Sequence, residues 1–328
     1  MLRALVAIAV VLISPSCTYP VMIEETPVAG GGVGGGTGGA TSASVTVLPV
    51  SLPTPVHEPA VAYDGQWVWI FGGLTSSGVF SDAVLKFDPS TETLQTTALR
   101  LPFGRQSSSA IAYKGFIYLF GGRSTQSVLL TQILRFDPST GLFTVMSATL
   151  PTARYNMALG PGANSILVFG GYDYTKLSDV LSYDPSADVL TALPASLSPG
   201  RESPVAVRSG SQIYLLGGST ITSFLTRIDR FDVASQQLVA TNAVLPQEAW
   251  QPAPMVIDGV AYMYGGNGVS SVTRFDPATE QAALVPGVTI PHTHMGRGAL
   301  GVEGRGYVFG GSNASGSQTF DTIIRFVP

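Results

Sequence analysis

The sequence predicts an all-β protein built from six copies of one four-stranded antiparallel meander, closed into a ring. Three observations carry this. Six apolar runs end in a double glycine: "WIFGG" (69–73), "YLFGG" (118–122), "LVFGG" (167–171), "YLLGG" (214–218), "YMYGG" (262–266) and "YVFGG" (307–311). Their first glycines are Gly72, Gly121, Gly170, Gly217, Gly265 and Gly310, spaced 49, 49, 47, 48 and 45 residues apart. A fixed period of this size is the mark of a solenoid, a propeller or an array. Second, a hairpin signal and an aromatic residue keep the same beat in each copy. Third, the last copy stops one strand short at Pro328, and an unassigned strand stands ahead of the first copy.

The elements follow in chain order. "MLRALVAIAVVLISPSC" places Arg3 before an apolar run from Ala4 to Ile13 and then small residues. That is the layout of a secretory signal peptide, assigned to residues 1–16. The run is too short for the ~20 residues of a spanning helix. Cys17, the single cysteine, follows directly. It has no partner for an internal disulfide. Residues 17–40 include "EETPVAGGGVGGGTGGAT", a composition that behaves as a flexible tether. It lacks the strand, the helix and the GK[ST] ending of a phosphate loop. The repeat region is 41–328.

Within each copy a short apolar strand a runs into a turn at Gly65, Gly115, Gly162, Gly210, Gly259 or Gly304, and strand b returns to the double glycine. Such a pair between apolar runs is a two-residue hairpin signal, because the turn needs φ > 0. Absent side chains at the double glycine permit close backbone approach or a bulge. Strand c ends on Phe87, Phe136, Tyr183, Phe231, Phe275 or Phe326. Four of these precede Asp-Pro, which favours a type I turn. Strand d is expected to centre seven residues on, at Leu94, Phe143, Leu190, Leu238 and Ala282, and to close on a proline. The sixth copy has no strand d. Counting back from Pro53, as from Pro102 to Leu94, lands on Val45. Residues near 45–50 are therefore expected to complete the last blade and shield its open edge. Trimming 41–53 should then destabilise the whole ring, and trimming the tether should not.

The pattern resembles the kelch repeat over residues 41–328. The apolar–Gly–Gly endings, the strand c aromatic and an Arg sixteen residues before the double glycine (Arg105, Arg154, Arg201) carry the resemblance. It implies a six-bladed β-propeller of four-stranded blades. One departure is that Leu, Phe or Ala stands where many kelch repeats carry Trp in strand d. The N-terminus resembles a bacterial lipoprotein signal, which implies lipidation of Cys17. Ser14 and Ser16 depart from that pattern and equally suit ordinary cleavage near Ser16.

In such a disc, function sits on loops. The d–a loops read "LPFGRQSS", "LPTARYNM", "LSPGRESP", "LPQEAWQP", "IPHTHMGR" and "LPTPVHEP". Arg105, Arg154, Arg201 and His294 share one offset, and Trp250 and His57 lie within one residue of it. These six are the candidate ligand-binding residues, since Arg and Trp dominate binding hot spots. They would form a pocket for a carboxylate, a sugar or a peptide loop. The other reading makes the arginines blade-to-blade struts bonded to backbone carbonyls, a reading the kelch pattern itself favours. His57, His292 and His294 are the only metal candidates, and without a phased carboxylate they predict no metal site.

No catalytic constellation is apparent in the sequence. Glu202 and Glu248 are the only catalytic candidates, each readable as a solvated rim charge. A resemblance to galactose-oxidase-type enzymes fails at their cofactor, which needs a Cys inside the propeller. Six-bladed sialic-acid mutarotases are a better topological match and imply a Glu and an Arg near the channel, for which Glu202 beside Arg201 could serve. No cofactor is expected. The formal charge of −4 and the lack of a Lys/Arg run exclude a nucleic-acid footprint. The expectation is an exported, monomeric, non-catalytic module for a protein or carbohydrate, touching a membrane only through a lipid anchor. The alternative is a sugar isomerase or mutarotase.

Overall fold

The computed structural model describes residues 42–328 except 125–127, 249–250, 267, 292–293, 297, 314–315 and the side chains of His294 and Met295. Cys17, the proposed signal and the whole tether lie outside the described residues. The fold is a six-bladed β-propeller of four-stranded antiparallel blades, and no helix occurs among the described residues. Blade 1 runs Ala60–Tyr63, Val68–Phe71, Ala83–Asp88 and Thr93–Arg100. Blades 2 to 5 repeat this order. Blade 6 takes Gly298–Val302, Arg305–Phe309 and Thr322–Val327 from the C-terminus, and Ser44–Ser51 pairs with the last of these. Val45 lies opposite Phe326, so the expected closure is present.

The phased aromatics explain why the blades stack. Each strand c aromatic is fully buried and meets strand b of the blade before it. Phe136 sits 4.8 Å from Trp69 and 5.3 Å from Phe71, both edge-on. Phe231 meets Phe169 at 5.4 Å. Edge-to-face pairs add about 0.5–1.5 kcal/mol beyond area burial. The same contact closes the ring, where Phe87 of blade 1 meets Tyr307 at 5.0 Å and Phe309 at 5.4 Å on blade 6.

Two expectations need correction. Leu94, Phe143, Leu190, Leu238 and Ala282 lie directly opposite the strand c aromatics, so they begin strand d rather than centre it. The a–b turns are also not uniform. Lys114–Gly115, Asp258–Gly259 and Glu303–Gly304 each place two residues at positive φ, as a tight hairpin requires. Copies 1 and 3 instead use four-residue connections, and Gly162 is not left-handed.

Strand a of each blade lines the central channel. Six strands converge there, and glycine relieves the tightest point. A Cβ on Gly301 would stand 1.8 Å from the Val256 carbonyl oxygen of blade 5.

Candidate functional site

In blades 1 to 4 the d–a loop enters through three consecutive positions with three different roles. The first is the arginine offset. Its backbone carbonyl accepts from the second glycine of the preceding blade: Gly73 to Arg105 at 2.8 Å, Gly122 to Arg154 at 2.9 Å, Gly171 to Arg201 at 3.0 Å and Gly311 to Val56 at 2.9 Å. The first glycine of that pair is pressed onto the same oxygen. A Cβ on Gly121 would lie 2.2 Å from the Arg154 carbonyl, at φ +54°. The double glycine therefore marks the seam between blades, where no side chain fits.

The arginine side chains turn into this seam. Arg105, Arg154 and Arg201 are 1%, 0% and 0% exposed. Each donates to the first-glycine carbonyl of its own blade: Gly121 at 3.4 Å, Gly170 at 3.2 Å and Gly217 at 3.3 Å. Arg154 also grips Asp179 with both terminal nitrogens, at 2.6 and 2.8 Å. Arg201 pairs with buried Asp229. Arg105 meets no acid among the described residues, and burial alone lowers its pKa to about 10. Its guanidinium lies 4.6 Å from the Phe103 ring. The three guanidinium groups are therefore buried against carbonyls of their own blades rather than offered to a ligand at the mouth.

The second position carries His57, Gln106, Tyr155 and Glu202, and pairs with the b–c loop opposite: His57 with Leu74, Gln106 with Arg123, Tyr155 with Tyr172 and Glu202 with Ser219. The third position is left-handed in all six blades: Glu58, Ser107, Asn156, Ser203, Gln251 and Gly296, with φ between 49° and 59°. Five of the six are not glycine, and such residues cost about 1–3 kcal/mol each unless their surroundings over-determine them. Here the surroundings are each other. The Ser107 N–H donates to Glu58 O at 2.9 Å, Asn156 to Ser107 at 3.3 Å and Ser203 to Asn156 at 2.7 Å, and Glu58 donates to Gly296. Backbone bonds thus pass from blade to blade around the channel, and the side chains form a polar collar. With Glu58, Ser107, Asn156, Ser203 and Gln251 of the collar, Ala110, Met157 and Leu159 help to line a cavity of about 260 Å³ that is polar and apolar in near-equal parts.

Two carboxylates organise the collar. Glu58 accepts from Gln106 Nε2 at 2.9 Å, from Ser107 Oγ and from Gln251 Nε2 at 3.4 Å, so it links blades 1, 2 and 5. Glu202 accepts from Asn156 Nδ2 at 3.2 Å, Ser219 Oγ at 3.3 Å and Lys176 Nζ. It is 5% exposed, which corrects the reading of a solvated rim charge. Arg201, its neighbour in sequence, faces away into the seam. Beside Glu202, the Tyr155 and Tyr172 rings meet edge-on at 5.3 Å, with Arg123 over Tyr155 and Lys176 over Tyr172. Burial, and then the Glu202 charge, push the Tyr155 phenol well above the ordinary tyrosine range. It therefore stays a hydrogen-bond donor. Burial lowers the His57 pKa against the opposing pull of Glu58.

Glu248 is exposed. Trp250, His292 and the His294 side chain lie outside the described residues. The backbone of His294 pairs with Asn313. Its loop lies beside that of His57, because Glu58 bonds Gly296. Tyr155, Asn156, Glu58 and Gln251 do not share the offset of the phased arginines. One signal was readable: fourteen residues before each double glycine stand Glu, Ser, Asn, Ser, Gln and Gly, five polar residues in phase.

No family model and no curated protein matches this chain. Among solved structures it is similar to one titled "Structure of YjhT". The TM-score is 0.69 and the identity 17%, over 84% of this chain and 96% of that one. At that identity the likeness shows the shared fold alone.

Proposed function

We propose that the protein is a non-catalytic binding module that takes a glycan at its channel mouth. The observation that carries this is the Tyr155–Tyr172 pair set against Glu202, Asn156 and Lys176. Aromatic rings give a sugar an apolar face to rest on. A carboxylate and an amide held by neighbours supply a few fixed polar groups to orient its hydroxyls. A protonated Tyr155 adds a donor. Kelch-type repeats, export through the 1–16 signal, a lipid on Cys17 and a place at the cell envelope belong to the same proposal and rest on the sequence pattern. Labelled palmitate that reaches wild type but not Cys17→Ser tests the anchor.

The ligand is tested by screening the protein on a glycan array and titrating the hits by calorimetry. Tyr155→Ala and Glu202→Gln should each weaken binding about tenfold, the worth of one lost aromatic or charge-assisted contact. Glu202→Gln should also lose stability, because it leaves Lys176 without its acid, so affinities are compared well below the melting temperature of each variant. A hit that binds both variants as tightly as wild type overturns the site.

One feature favours the enzyme reading: Glu202, Lys176 and Tyr155 together offer an acid–base set beside the collar. A sugar mutarotase would speed the exchange between α and β anomers of a reducing sugar in NMR spectra, and Glu202→Gln would abolish the effect. Binding without that acceleration leaves the module reading in place.

A further inference from the structure

The slots that hold the three arginines are built alike, and blade 1 repeats the slot without its arginine. In blades 2, 3 and 4 the arginine N–H donates to a b–c loop carbonyl: Ser81 at 3.1 Å, Leu130 at 3.2 Å and Leu177 at 3.0 Å. Val56 does the same to Phe320 at 3.2 Å, and its carbonyl takes the same glycine bond. Blades 1 to 4 thus share the backbone arrangement, and the side chain differs. Gly171 and Gly218 each have the Cδ of their arginine packed over them, at 3.4 and 3.3 Å from a built Cβ. Gly73 has only the Val56 Cβ there, at 3.1 Å.

Beyond Val56 lies a cavity of about 180 Å³. Its lining matches the surroundings of Arg154 position by position. Thr54 stands where Thr152 gives its carbonyl to Arg154 Nε at 3.1 Å. Gly72 stands where Gly170 accepts from Nη1, and Ala83 where Asp179 takes the bidentate pair. Ile70 and Leu85 supply the apolar walls, and exposed Asp82 stands at the rim. An engineered cavity of ~150 Å³ already holds a benzene-sized molecule. Arg105 shows that such a slot in this protein holds a guanidinium without an acid inside it.

We propose that this slot in blade 1 is a binding site for an alkylguanidinium ligand, either an arginine side chain of a partner or a small guanidine. The planar head would take the place of the native guanidinium at the Gly72 carbonyl, with its alkyl stem against Ile70 and Leu85. Asp82 would exchange its exposed pairing with Arg100, at 3.7 Å, for the entering cation. The site lies within blade 1, apart from the collar at the channel mouth, and does not depend on the glycan reading.

The test is ligand-observed NMR with n-propylguanidinium, using n-propylammonium and n-butanol as controls. Wild type should bind the guanidinium and bind both controls at least tenfold more weakly. Val56→Arg should fill the slot with the residue native to blades 2–4 and abolish binding. Ala83→Asp restores the acid of blade 3 and should tighten binding about tenfold. If Val56→Arg fails to fold, Ala83→Asp decides alone. Equal binding of butanol, undiminished binding to Val56→Arg or no gain in Ala83→Asp overturns the proposal. Competition by acetyl-arginine methylamide assigns the ligand to a peptide arginine. Binding of propylguanidinium without that competition assigns it to a small guanidine.

Discussion

The two faces of the disc use the same backbone device for opposite ends. On the face of the c–d turns, Glu92, Gly141, Asp188, Gln236 and Glu280 are left-handed. On the face of the d–a loops, Glu58, Ser107, Asn156, Ser203, Gln251 and Gly296 are left-handed. In the c–d turns the side chains do the joining. Glu92 accepts from Arg325 at 2.8 Å and Tyr307 at 3.2 Å on blade 6. Asp188 accepts from the Ser147 and Ala148 N–H groups on blade 2, and Glu280 from Tyr214 and Arg230 on blade 4. Each carboxylate reaches the blade before its own. On the loop face the backbone joins the blades, and the side chains meet one another across the channel mouth. The difference separates stability from binding. A left-handed residue whose side chain bonds a neighbouring blade acts as a staple. One whose N–H and C=O make the staple leaves its side chain at the mouth.

The largest effect tests closure, on which both faces depend. Deleting residues 42–52 removes the strand paired with Thr322–Val327 and buried Leu48 and Leu52. Two leucines at ~2–3 kcal/mol each give a loss of roughly 5 kcal/mol, before the newly open edge is counted. Chemical denaturation should show a single, much earlier transition for the whole ring. Loss confined to blade 6, with the rest melting as before, would break the picture of a closed ring.

Next comes the strut. Arg201→Met leaves Asp229, 1% exposed, with Arg227 at 2.7 Å as its remaining cation. The cost should be on the order of 3 kcal/mol, the scale for breaking a buried pair. Glycan affinity should hold within about twofold, since the guanidinium does not face the mouth. Lost affinity in a folded Arg201→Met protein would return the arginines to the site.

A staple of the c–d face should matter less. Glu92→Gln weakens the Arg325 contact at a partly exposed site, worth about 1 kcal/mol. Melting temperature should fall slightly, and more so at low salt, with binding unchanged. A binding defect here would show that the faces are coupled.

Architecture was far more legible in the sequence than the site. Closure followed from counting, because Pro53 and Val45 keep the phase of Pro102 and Leu94, and strand pairing obeys phase. The turn aspartates were legible for the same reason. Asp232 lacks the following proline, yet it accepts from the Ala234 N–H at 3.1 Å as Asp88 does from Ser90 at 2.9 Å, so the carboxylate and not the ring makes the turn. The site failed on direction. Arg154, Tyr155 and Asn156 are consecutive, and they point into the seam, onto the b–c loop and into the collar. No periodicity governs so short and irregular a stretch. A left-handed serine or glutamate carries no local flag as glycine does. The burial of Glu202 depends on Lys176 and Asn156, which approach from other loops.

The smallest effect concerns pH, and it separates the faces by chemistry. His57 lies in a loop of the channel-mouth face, and no histidine stands in the c–d turns. Burial lowers the His57 pKa from its ordinary 6.5, and Glu58 only partly opposes this. Below that ordinary value the unfolded chain binds a proton that the folded chain refuses. The unfolded state then holds more protons, so folding stability must fall as the pH drops through about 6.5 and toward the folded pKa. The contribution is complete above the unfolded value and is not lost on the alkaline side. His57→Gln removes it. Urea midpoints of wild type and variant should therefore differ by a constant amount above about pH 7.5, and their difference should change steadily from about pH 6.5 downward. Parallel curves across that range would mean that His57 takes up its proton alike in the folded and unfolded chain, the Glu58 carboxylate offsetting burial in full.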